Sequence, residues 1–440
     1  MNNKTPINPN IVDSRINELG ICNLGEAKIR EIVKLVNGIE EASGEKYIRM
    51  EMGVPGLEPA SVGTEAEIAA LKRGVASKYA NIEGIPEFKN EVSRFIKLFL
   101  DLDVSPQSCI PTVGSMQGSI AAFLVANRND HRREGTLFLD PGFPVQKQQC
   151  IVIGHTYRTF DVYNFRGEKL EARIREFLDT GLVSTILYSN PNNPSWICFT
   201  EDELKTIGKL ADEYDVIVIE DLAYFGMDFR KNVSEPGKPP FQSTVAKYTD
   251  NYLLLISSSK VFSYAGQRIG MMVMSDELFS RRYPDLLRYF TSDRFGHSII
   301  YGALYALSAG TSHSAQYAVT AILKAANEGK FNIVDEVREY AERARIMKKL
   351  FTGNGFHIVY DKDIDQELAD GFYFTFSYPG FSGAQLLREL LYYGISAISL
   401  EITGSIRTEG LRACVSQVHL DQMSLLEKRL QLFQENHPAS

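Results

Sequence analysis

The sequence predicts an α/β protein with two domains: a large one built on a mostly parallel sheet, and a smaller one of the α+β class. In the middle of the chain, short apolar runs rich in β-branched residues alternate with amphipathic stretches, which is typical of a parallel sheet covered by helices. After about residue 300, long helical patterns rich in Glu, Arg and Lys replace this alternation. We place the large domain at residues 55–305 and the small domain at residues 1–54 and 306–440.

The strands of the large domain are predicted from apolar runs that end in a polar or Gly/Pro turn. They are Thr136–Asp140, Thr185–Tyr188, Val216–Glu220, Tyr252–Ile256 and Ile269–Met274. After the second of these runs, Thr200 and Glu203 have the spacing of a capping box, in which two side chains satisfy backbone N–H groups at the start of a helix. We therefore expect a helix to begin there.

The smaller domain is predicted from the last third of the chain. A long helical pattern covers Ile333–Phe351, and short strands are expected around His357–Tyr360 and Gly371–Ser377. The segment before Tyr47 is also helical in pattern, and we expect it to pack against this domain.

Composition and charge narrow the class of protein. Hydrophobic residues make up 44% of the 440 residues and charged residues 23%, and the formal net charge is −8. This is the balance of an ordinary globular protein, and the mild acidity argues against a nucleic-acid partner. It does not argue against an anionic cofactor, because phosphate sites are local and built largely from backbone N–H groups.

The location of the protein is predicted from its cysteines and its apolar stretches. The five cysteines are scattered and none forms a Cys-x-x-Cys pair, which indicates free thiols in a reducing compartment. The polar start MNNKTPINPN lacks the apolar stretch of a signal peptide, and no segment approaches the roughly 18 apolar residues of a membrane span. We expect a soluble cytoplasmic protein without a membrane partner and without a metal.

Ligands of an open parallel sheet bind outside the carboxyl ends of its strands, so the residues that follow the predicted strands are the candidates for binding and chemistry. They are Gly114, Ser115, Met116, Phe143, Asn193, Asp221, Tyr224, Ser257 and Lys260, with Arg268 a short turn further on. As a set they fit one ligand, a phosphorylated pyridine ring that bears an aldehyde. That description matches pyridoxal 5'-phosphate.

Lys260 and Asp221 carry the chemistry of this hypothesis. Lys260 stands in SSSK at the end of an apolar strand, and its amine can form a Schiff base with an aldehyde and later move a proton. Asp221 follows the buried run VIVIE, and a carboxylate beside a pyridine nitrogen keeps that nitrogen protonated. Taken singly, Lys260 could begin a surface loop and Asp221 could cap a helix. The presence of both among the other candidates favours chemistry.

Three further residues could hold the ring of the cofactor. Asn193, in NPNNP, and Tyr224 can each hydrogen-bond its phenolate oxygen, and Phe143, in DPGFP, can stack on the ring. Each also has a structural interpretation, because Asn-Pro clusters are common turns and both aromatic residues could pack in the core.

The phosphate has three kinds of candidate contact. Gly114, Ser115 and Met116 precede a helix-like stretch, so their N–H groups would face an anion with the helix dipole behind them. Ser257 offers a hydroxyl, and Arg268, in GQRIG, offers a permanently charged clamp.

Arg412 is the candidate for binding a substrate carboxylate. It lies in GLRACVS, a β-like apolar run in which an arginine needs an anionic partner. A substrate α-carboxylate would supply that partner, and a structural salt bridge is the alternative. Arg407, slightly earlier in the chain, is a weaker rival for the same role.

The ordered series SNPNNP, EDLAYF and SSSKVFSYAGQRIG resembles the class I and II aminotransferases, which are fold-type I pyridoxal-phosphate enzymes. The resemblance extends from about Gly53 to Ser416. It implies a large domain with a seven-stranded, mostly parallel sheet between helices, and a smaller α+β domain. It also implies an enzyme that moves an amino group from an amino acid to a 2-keto acid.

The resemblance gives each candidate a role. Lys260 would form the Schiff base, Asp221 would pair with the pyridine nitrogen, and Asn193 and Tyr224 would contact the phenolate oxygen. The other implied roles are phosphate binding by Ser115, Met116, Ser257 and Arg268, ring stacking by Phe143, and substrate binding by Arg412, Gly53 and Asn193.

A homodimer with shared active sites is also implied. Tyr79, in KYANIEGIPEF, resembles the tyrosine of the family's YxxxxG segment. In the family that tyrosine reaches the phosphate bound by the neighbouring subunit, so neither subunit has a complete site alone.

Two segments depart from the family pattern. The family usually continues its Asn-Pro with Thr or Ser and then Gly, but here Trp196, the chain's only tryptophan, follows Ser195. We expect the loop after Asn193 to take another path for that reason. The glycine-rich segment before the terminal arginine is also altered, to ISLEITGSIRTEGLR, which indicates an unusual substrate.

Transamination has rivals on the same scaffold. The cofactor also serves C–S lyases, decarboxylases and racemases, and the outcome depends on which bond at the substrate Cα stands perpendicular to the ring. Arg412 would favour proton removal over decarboxylation by holding the carboxylate. A non-enzymatic regulator on this fold is a rival of another class, but no basic helix-turn-helix pattern is visible. Arg288 and Arg294, near TSDRFGHS, could bind an acidic substrate side chain or be ordinary surface arginines.

Overall fold

The computed structural model describes residues 5–133 and 135–438, which form two compact units. In these residues the smaller unit comprises 5–56, 193–197 and 338–438, and the larger unit comprises the rest. Residues 1–4, 439 and 440 of the predicted small domain and Glu134 of the predicted large domain lie outside the described residues.

The α-helices are numbered in chain order. They are α1 (Pro9–Glu18), α2 (Ile29–Ser43), α3 (Ser61–Lys72), α4 (Pro86–Leu100), α5 (Gly114–Ala126), α6 (Pro144–Val152), α7 (Lys169–Leu178), α8 (Glu201–Tyr214), α9 (Ser258–Val261), α10 (Asp276–Ser280), α11 (Phe295–His297), α12 (Tyr305–Ser308), α13 (His313–Asn327), α14 (Glu339–Gly353), α15 (Gly383–Tyr392) and α16 (Met423–Asn436). Within the described residues, every helix is too short or too polar to serve as a membrane span.

The strands follow the same numbering. They are β1 (Ile48–Arg49), β2 (Cys109–Thr112), β3 (Gly135–Asp140), β4 (Thr156–Asp161), β5 (Val183–Ser189), β6 (Ile217–Asp221), β7 (Tyr252–Ser257), β8 (Gly270–Met274), β9 (His357–Ile358), β10 (Lys362–Asp363), β11 (Gln366–Glu367), β12 (Tyr373–Ser377), β13 (Ile395–Ser396), β14 (Ile398–Ser399) and β15 (Leu411–Cys414).

The larger unit is built on a seven-stranded sheet with the order β2-β8-β7-β6-β5-β3-β4. Strands β3 to β7 pair in parallel, and β8 runs antiparallel to both of its neighbours. Strands β2, β3, β5, β6, β7 and β8 are buried along their whole length, as expected where both faces of a sheet are covered. The predicted α/β fold with a seven-stranded, mostly parallel sheet is therefore confirmed.

Local signals in the sequence place several elements well. The predicted capping box is present at the start of α8: Glu203 N donates to Thr200 Oγ1 at 3.2 Å, and Thr200 N donates to Glu203 Oε2 at 3.0 Å. The prediction was less accurate at α5, which begins at Gly114, so that Ser115 and Met116 lie within its first turn and not ahead of it.

The direction of the strands gathers the candidate residues at one edge of this sheet. Asp221 ends β6, α9 with Lys260 directly follows β7, and Phe143 comes shortly after β3. Because β8 runs in the opposite direction, its amino end lies at the same edge and brings Arg268 there. This edge is where ligands of open α/β sheets bind.

The smaller unit contains a four-stranded antiparallel sheet with the order β14-β15-β12-β9. Alternate residues of β12 face opposite sides. Phe374 and Phe376 pack against Phe351 of α14, with ring centroids 5.5 and 4.5 Å apart, and form an aromatic core. Tyr373 lies on the other face. The short strands β1 and β13 pair in parallel, so the amino-terminal segment is part of this unit.

Two boundaries differ from the sequence-based ones. The helix predicted over Ile333–Phe351 begins only at Glu339, after a short 3-10 turn at Asp335–Val337. The larger unit also extends to Val337 and not only to residue 305, because α13 packs against α3 and α4.

Candidate active site

Lys260 and Asp221 lie at the ends of adjacent parallel strands. Asp221 is the last residue of β6 and is paired with Leu255 of β7, and Lys260 lies in α9, the short helix that directly follows β7. The positive charge of Lys260 lowers the pKa of the Asp221 carboxyl group, so the two groups interact electrostatically. The structure thus brings together the two residues that the sequence placed at the centre of the chemistry.

The Asp221 carboxylate is held by two donors. It is 6% exposed; Oδ1 accepts a hydrogen bond from Ala223 N at 3.1 Å, and Oδ2 accepts one from Gln146 Nε2 at 2.9 Å. Gln146 lies on α6 and is itself buried. The two hydrogen bonds fix the plane of the carboxylate.

Burial dominates the electrostatics of Asp221. Desolvation raises its pKa to about 6, against the lowering effect of the two hydrogen bonds and of Lys260. A buried carboxylate in this state gains from a cationic partner, because an opposite charge offsets the loss of solvation. A protonated pyridine nitrogen is such a partner.

The amino end of α5 lies against Arg268. Gly114 has φ +65°, and a Cβ at that position would lie 2.5 Å from Arg268 Nη2. A Cβ on Gly270 would lie 3.1 Å from the backbone nitrogen of Ser115. The helix starts without a side-chain cap, and the buried Oγ of Ser115 has no hydrogen-bond partner. A permanent cation, a hydroxyl and a helix amino end thus converge here, and all three suit a phosphate.

Ser257 and Phe143 are the N-cap residues of two short helices at this edge, α9 and α6. Ser257 is the N-cap of α9, and its Oγ accepts a hydrogen bond from Ser259 N at 3.1 Å, which fixes the turn that carries Lys260. Phe143 is the N-cap residue of α6 and is half-buried. Tyr224 is buried in the turn after β6. Met116 is half-buried, and its carbonyl accepts a hydrogen bond from Gln149 Nε2 at 2.8 Å.

Tyr79 differs from these residues in being exposed to solvent. Its side chain is 96% exposed, the highest value among the exposed large hydrophobic residues of the described chain.

The two arginines that were candidates for binding an acidic substrate side chain are ordinary surface residues. Arg288 is 53% exposed and forms an ion pair with Asp285 at 3.2 Å, and Arg294 is exposed.

Arg412 is the centre of a second group of residues, in the smaller unit. It lies on β15 and is 1% exposed. Nη1 donates to Asn193 Oδ1 at 3.1 Å, and Nη2 donates to the carbonyl of Glu51 at 2.6 Å. The guanidinium carbon is 4.4 Å from the centroid of the Tyr373 ring. Asn193 and Arg412, which are far apart in the sequence, are therefore in direct contact.

Arg412 differs from another buried arginine of the same unit. Arg343 is also 1% exposed, but it forms an ion pair with Glu339 at 2.6 Å. The hydrogen-bond acceptors of Arg412 are neutral, its buried Nε has no partner, and within the described part of this unit no carboxylate pairs with it. An arginine that is buried without a counter-charge requires an anion, and the structural salt bridge considered from the sequence is not found there.

Arg407, the alternative to Arg412, and Gly53 each contact a tyrosine ring or hydroxyl. Arg407 is only half-buried and packs on the Tyr360 ring, with its guanidinium carbon 5.1 Å from the ring centroid. Gly53 lies against the Tyr373 hydroxyl, which a Cβ at that position would overlap. Gly53 and Arg412 thus contact the same aromatic side chain.

Sequence reasoning missed Gln146 and Tyr373. Gln146 is in the first turn of α6, directly after Phe143, so a search of that turn for polar side chains would have found it. Tyr373 belongs to a strand that was predicted, but its contact with Arg412 depends on the register of β12 and β15. That register is not readable from either strand alone.

Comparisons with known proteins identify the family of the chain. A sequence profile described as aminotransferase class I and II matches residues 45–428. A probable aspartate aminotransferase of Methanocaldococcus jannaschii is 24% identical over 325 residues, which cover 73% of this chain and 76% of the relative. The glutamate-pyruvate aminotransferase AlaC of Escherichia coli is 29% identical over 245 residues, 54% of this chain and 56% of the relative.

Solved structures share the fold. An aspartate aminotransferase from Thermotoga maritima has a TM-score of 0.73 at 18% identity, over 96% of this chain and 99% of that one. An alanine aminotransferase from Pyrococcus furiosus has a TM-score of 0.73 at 19% identity, over the same shares of 96% and 99%. Since the family profile covers most of its length, the chain belongs to the class I and II aminotransferases, enzymes that transfer amino groups.

Proposed function

We propose that this aminotransferase uses pyridoxal 5'-phosphate to move an amino group from an amino acid to a 2-keto acid, with Lys260 as the residue that attaches the cofactor. The observation that carries the proposal is the buried Asp221, which is held by Gln146 and interacts electrostatically with Lys260 at the end of the neighbouring strand.

The residues at this edge of the sheet fit the cofactor. The unpartnered Ser115 hydroxyl, the amino end of α5 and the Arg268 guanidinium suit its phosphate. Asp221 suits its pyridine nitrogen, and Phe143 has the position to stack on its ring. We assign the remaining cofactor contacts to Met116, Asn193, Tyr224 and Ser257.

When bound, the cofactor supplies an electrophilic aldehyde and a ring that takes up the electron pair released at the substrate Cα. In the proposed reaction the Lys260 amine would take the proton from the substrate Cα and deliver it to the cofactor carbon that bears the aldehyde, and in the second half-reaction it would move a proton in the opposite direction. Asp221 would stabilise the positive charge of the protonated pyridine nitrogen. Tyr224 is the third member of the proposed catalytic set, as a hydrogen-bond donor to the cofactor's phenolate oxygen.

We assign the substrate α-carboxylate to Arg412, with Asn193 and Gly53 beside it. The assignment rests on the absence of a counter-charge for Arg412 in its own unit among the described residues. An arginine that holds the carboxylate favours removal of the Cα proton over loss of carbon dioxide, which distinguishes transamination from decarboxylation. Lyase and racemase chemistry would start with the same proton removal and stay as alternatives.

We also propose a homodimer in the cytoplasm. The exposed Tyr79 would complete the phosphate site of the partner subunit. The five cysteines form no disulfide with one another, which supports a reducing compartment.

The test is a half-reaction on the cofactor-loaded protein. Aspartate, alanine, glutamate and other amino acids are added singly without a keto acid, and the products are identified by mass spectrometry. Conversion of one amino acid to its 2-keto acid, with one amino group left on the cofactor, is expected. Release of ammonia, carbon dioxide or a thiol, or racemisation without a keto acid, would refute transamination.

A further inference from the structure

Trp196 has a backbone conformation that is unfavourable for a tryptophan. Its φ is +64°, in the left-handed region that favours glycine. A residue with a Cβ loses roughly 1–2 kcal/mol there, so contacts of the side chain must offset that loss. The indole is 1% exposed, and the ring is therefore fully enclosed by its surroundings.

The indole packs against two residues of the smaller unit, Gly371 and Tyr373. Gly371 leaves the space for it, because a Cβ at position 371 would overlap the Trp196 ring. Tyr373 packs on it in a T-shaped arrangement, with ring centroids 6.1 Å apart and planes at 70°. Such pairs contribute about 0.5–1.5 kcal/mol beyond the burial of their surface. The indole thus fixes the position of the Tyr373 ring.

The guanidinium group of Arg412 in turn packs on the Tyr373 ring. Tyr373 lies opposite Cys414 in the antiparallel pair of β12 and β15, and Arg412 lies opposite Thr375, so Tyr373 and Arg412 are diagonal neighbours on one face. The guanidinium carbon is 4.4 Å from the ring centroid. A cation over an aromatic face gains about 0.5–2 kcal/mol, more where water is excluded.

The same short segment also contacts Arg412 directly. Residues 193–197 group with the smaller unit, and Asn193, at the start of this segment, accepts a hydrogen bond from Arg412 Nη1. The segment therefore acts on the arginine at two points: Asn193 fixes one edge of the guanidinium, and Trp196 supports the ring on which the guanidinium lies.

We propose that Trp196 and Tyr373 are positioning residues for Arg412, and that they set the affinity of the enzyme for the α-carboxylate of its amino-acid and 2-keto-acid substrates. The inference rests on the proposed function only through the role of Arg412. Neither ring takes part in proton transfer. Their effect is therefore expected on KM and on equilibrium binding, and much less on kcat.

The first test compares Tyr373→Leu, Trp196→Gly and Trp196→Phe. Tyr373→Leu removes the aromatic face, and KM for the amino acid should rise about tenfold while kcat changes by less than about twofold. Trp196→Gly suits the backbone but removes support from Tyr373, so a rise of about threefold is expected. Trp196→Phe keeps an aromatic ring and should stay near the wild type.

The matched control is Phe351→Leu, which removes a fully buried aromatic ring of the same unit from the core on the face of β12 opposite to Tyr373. It should lower the thermal midpoint without changing KM. An equal rise of KM in Phe351→Leu, or unchanged KM in Tyr373→Leu and Trp196→Gly, would overturn the inference. In the second case transamination would stand and only the positioning role would fail.

The second test is independent of turnover. Because Trp196 is the only tryptophan of the chain, intrinsic tryptophan emission reports on this ring alone. Pyruvate should change the emission, and methyl pyruvate, which lacks the carboxylate, should not. Calorimetry should show weaker pyruvate binding in Tyr373→Leu and Trp196→Gly. If the half-reaction fails but these results hold, the positioning role stands without transamination; pyruvate binding that is equal in all variants and silent in emission would contradict it.

Discussion

Gln146 donates a hydrogen bond of 2.9 Å from its side-chain amide to Oδ2 of the buried Asp221. This bond lowers the pKa of Asp221, which burial raises to about 6. The ionised form of Asp221 is the one that can pair with a protonated pyridine nitrogen. Gln146 therefore helps to keep Asp221 in the form that the reaction requires.

Replacing Gln146 with Leu should raise the pKa of Asp221 further. The acidic limb of the pH–activity profile should move to higher pH, and kcat/KM at neutral pH should fall about tenfold, the usual strength of a hydrogen bond to a charged group. Gln148→Leu is the matched control, because Gln148 is exposed on the same helix. Identical pH profiles for the wild type and Gln146→Leu would contradict this role.

Asp221→Asn should change stability in opposite directions with and without the cofactor. In the folded chain the pKa of Asp221 is raised from 3.8 to about 6, so ionisation destabilises the fold. This destabilisation is absent below the unfolded-state pKa, develops as the pH rises from about 4 to 6, and is complete above that. Cofactor-free Asp221→Asn should therefore be more stable than the wild type at pH 8, by about 3 kcal/mol.

Urea unfolding at several pH values measures this difference. It should shrink towards zero as the pH approaches about 4. With the cofactor bound, the wild type should be the more stable protein, because the carboxylate then has a cationic partner. A cofactor-free variant that is less stable than the wild type at pH 8 would show that Asp221 is not an unfavourable buried charge.

Arg412→Gln should raise KM for the amino acid and the keto acid together. Loss of a charge-assisted pair with a carboxylate corresponds to about 10- to 100-fold. Arg412→Lys should show a smaller rise of KM than Arg412→Gln but not wild-type KM, because an ammonium group cannot form a bidentate pair with a carboxylate. Arg407→Gln is the control, and steady-state kinetics should show little change; a larger effect at Arg407 would reverse the assignment.

Tyr79→Phe should weaken retention of pyridoxal phosphate. If the exposed hydroxyl donates to the phosphate held by the partner subunit, its loss should lower cofactor affinity about tenfold and leave the dimer intact. Equilibrium dialysis and sedimentation measure the two quantities. Tyr289→Phe, at another exposed tyrosine, should have neither effect. A monomeric wild-type protein with full cofactor affinity would refute the shared site.

The fold was predictable because its signals are local. Buried parallel strands appear as continuous apolar runs, and the capping box of Thr200 and Glu203 marks the start of α8 without reference to the rest of the chain. Lys260, Asp221 and Arg268 could be placed at one edge because the direction of each strand determines where it ends.

The remaining parts of the site depend on contacts between distant segments. Trp196 was recognised as a departure from the family pattern, but the place of its ring depends on Gly371, and the role of Tyr373 depends on the register of β12 and β15. The helical pattern from Ile333 also overran the true start of α14, because a helical period does not show where a helix begins when no cap is present.

The central claim is that Lys260 performs the proton transfer, and a single-turnover measurement on Lys260→Ala tests it most directly. The variant is loaded with pyridoxal phosphate and mixed with the preferred amino acid, and keto-acid formation is followed beside the wild type and Lys247→Ala, a lysine of the same unit outside the site. We predict a loss of about 10³-fold or more in Lys260→Ala and wild-type rates in Lys247→Ala. Keto-acid formation at the wild-type rate in Lys260→Ala would contradict the account.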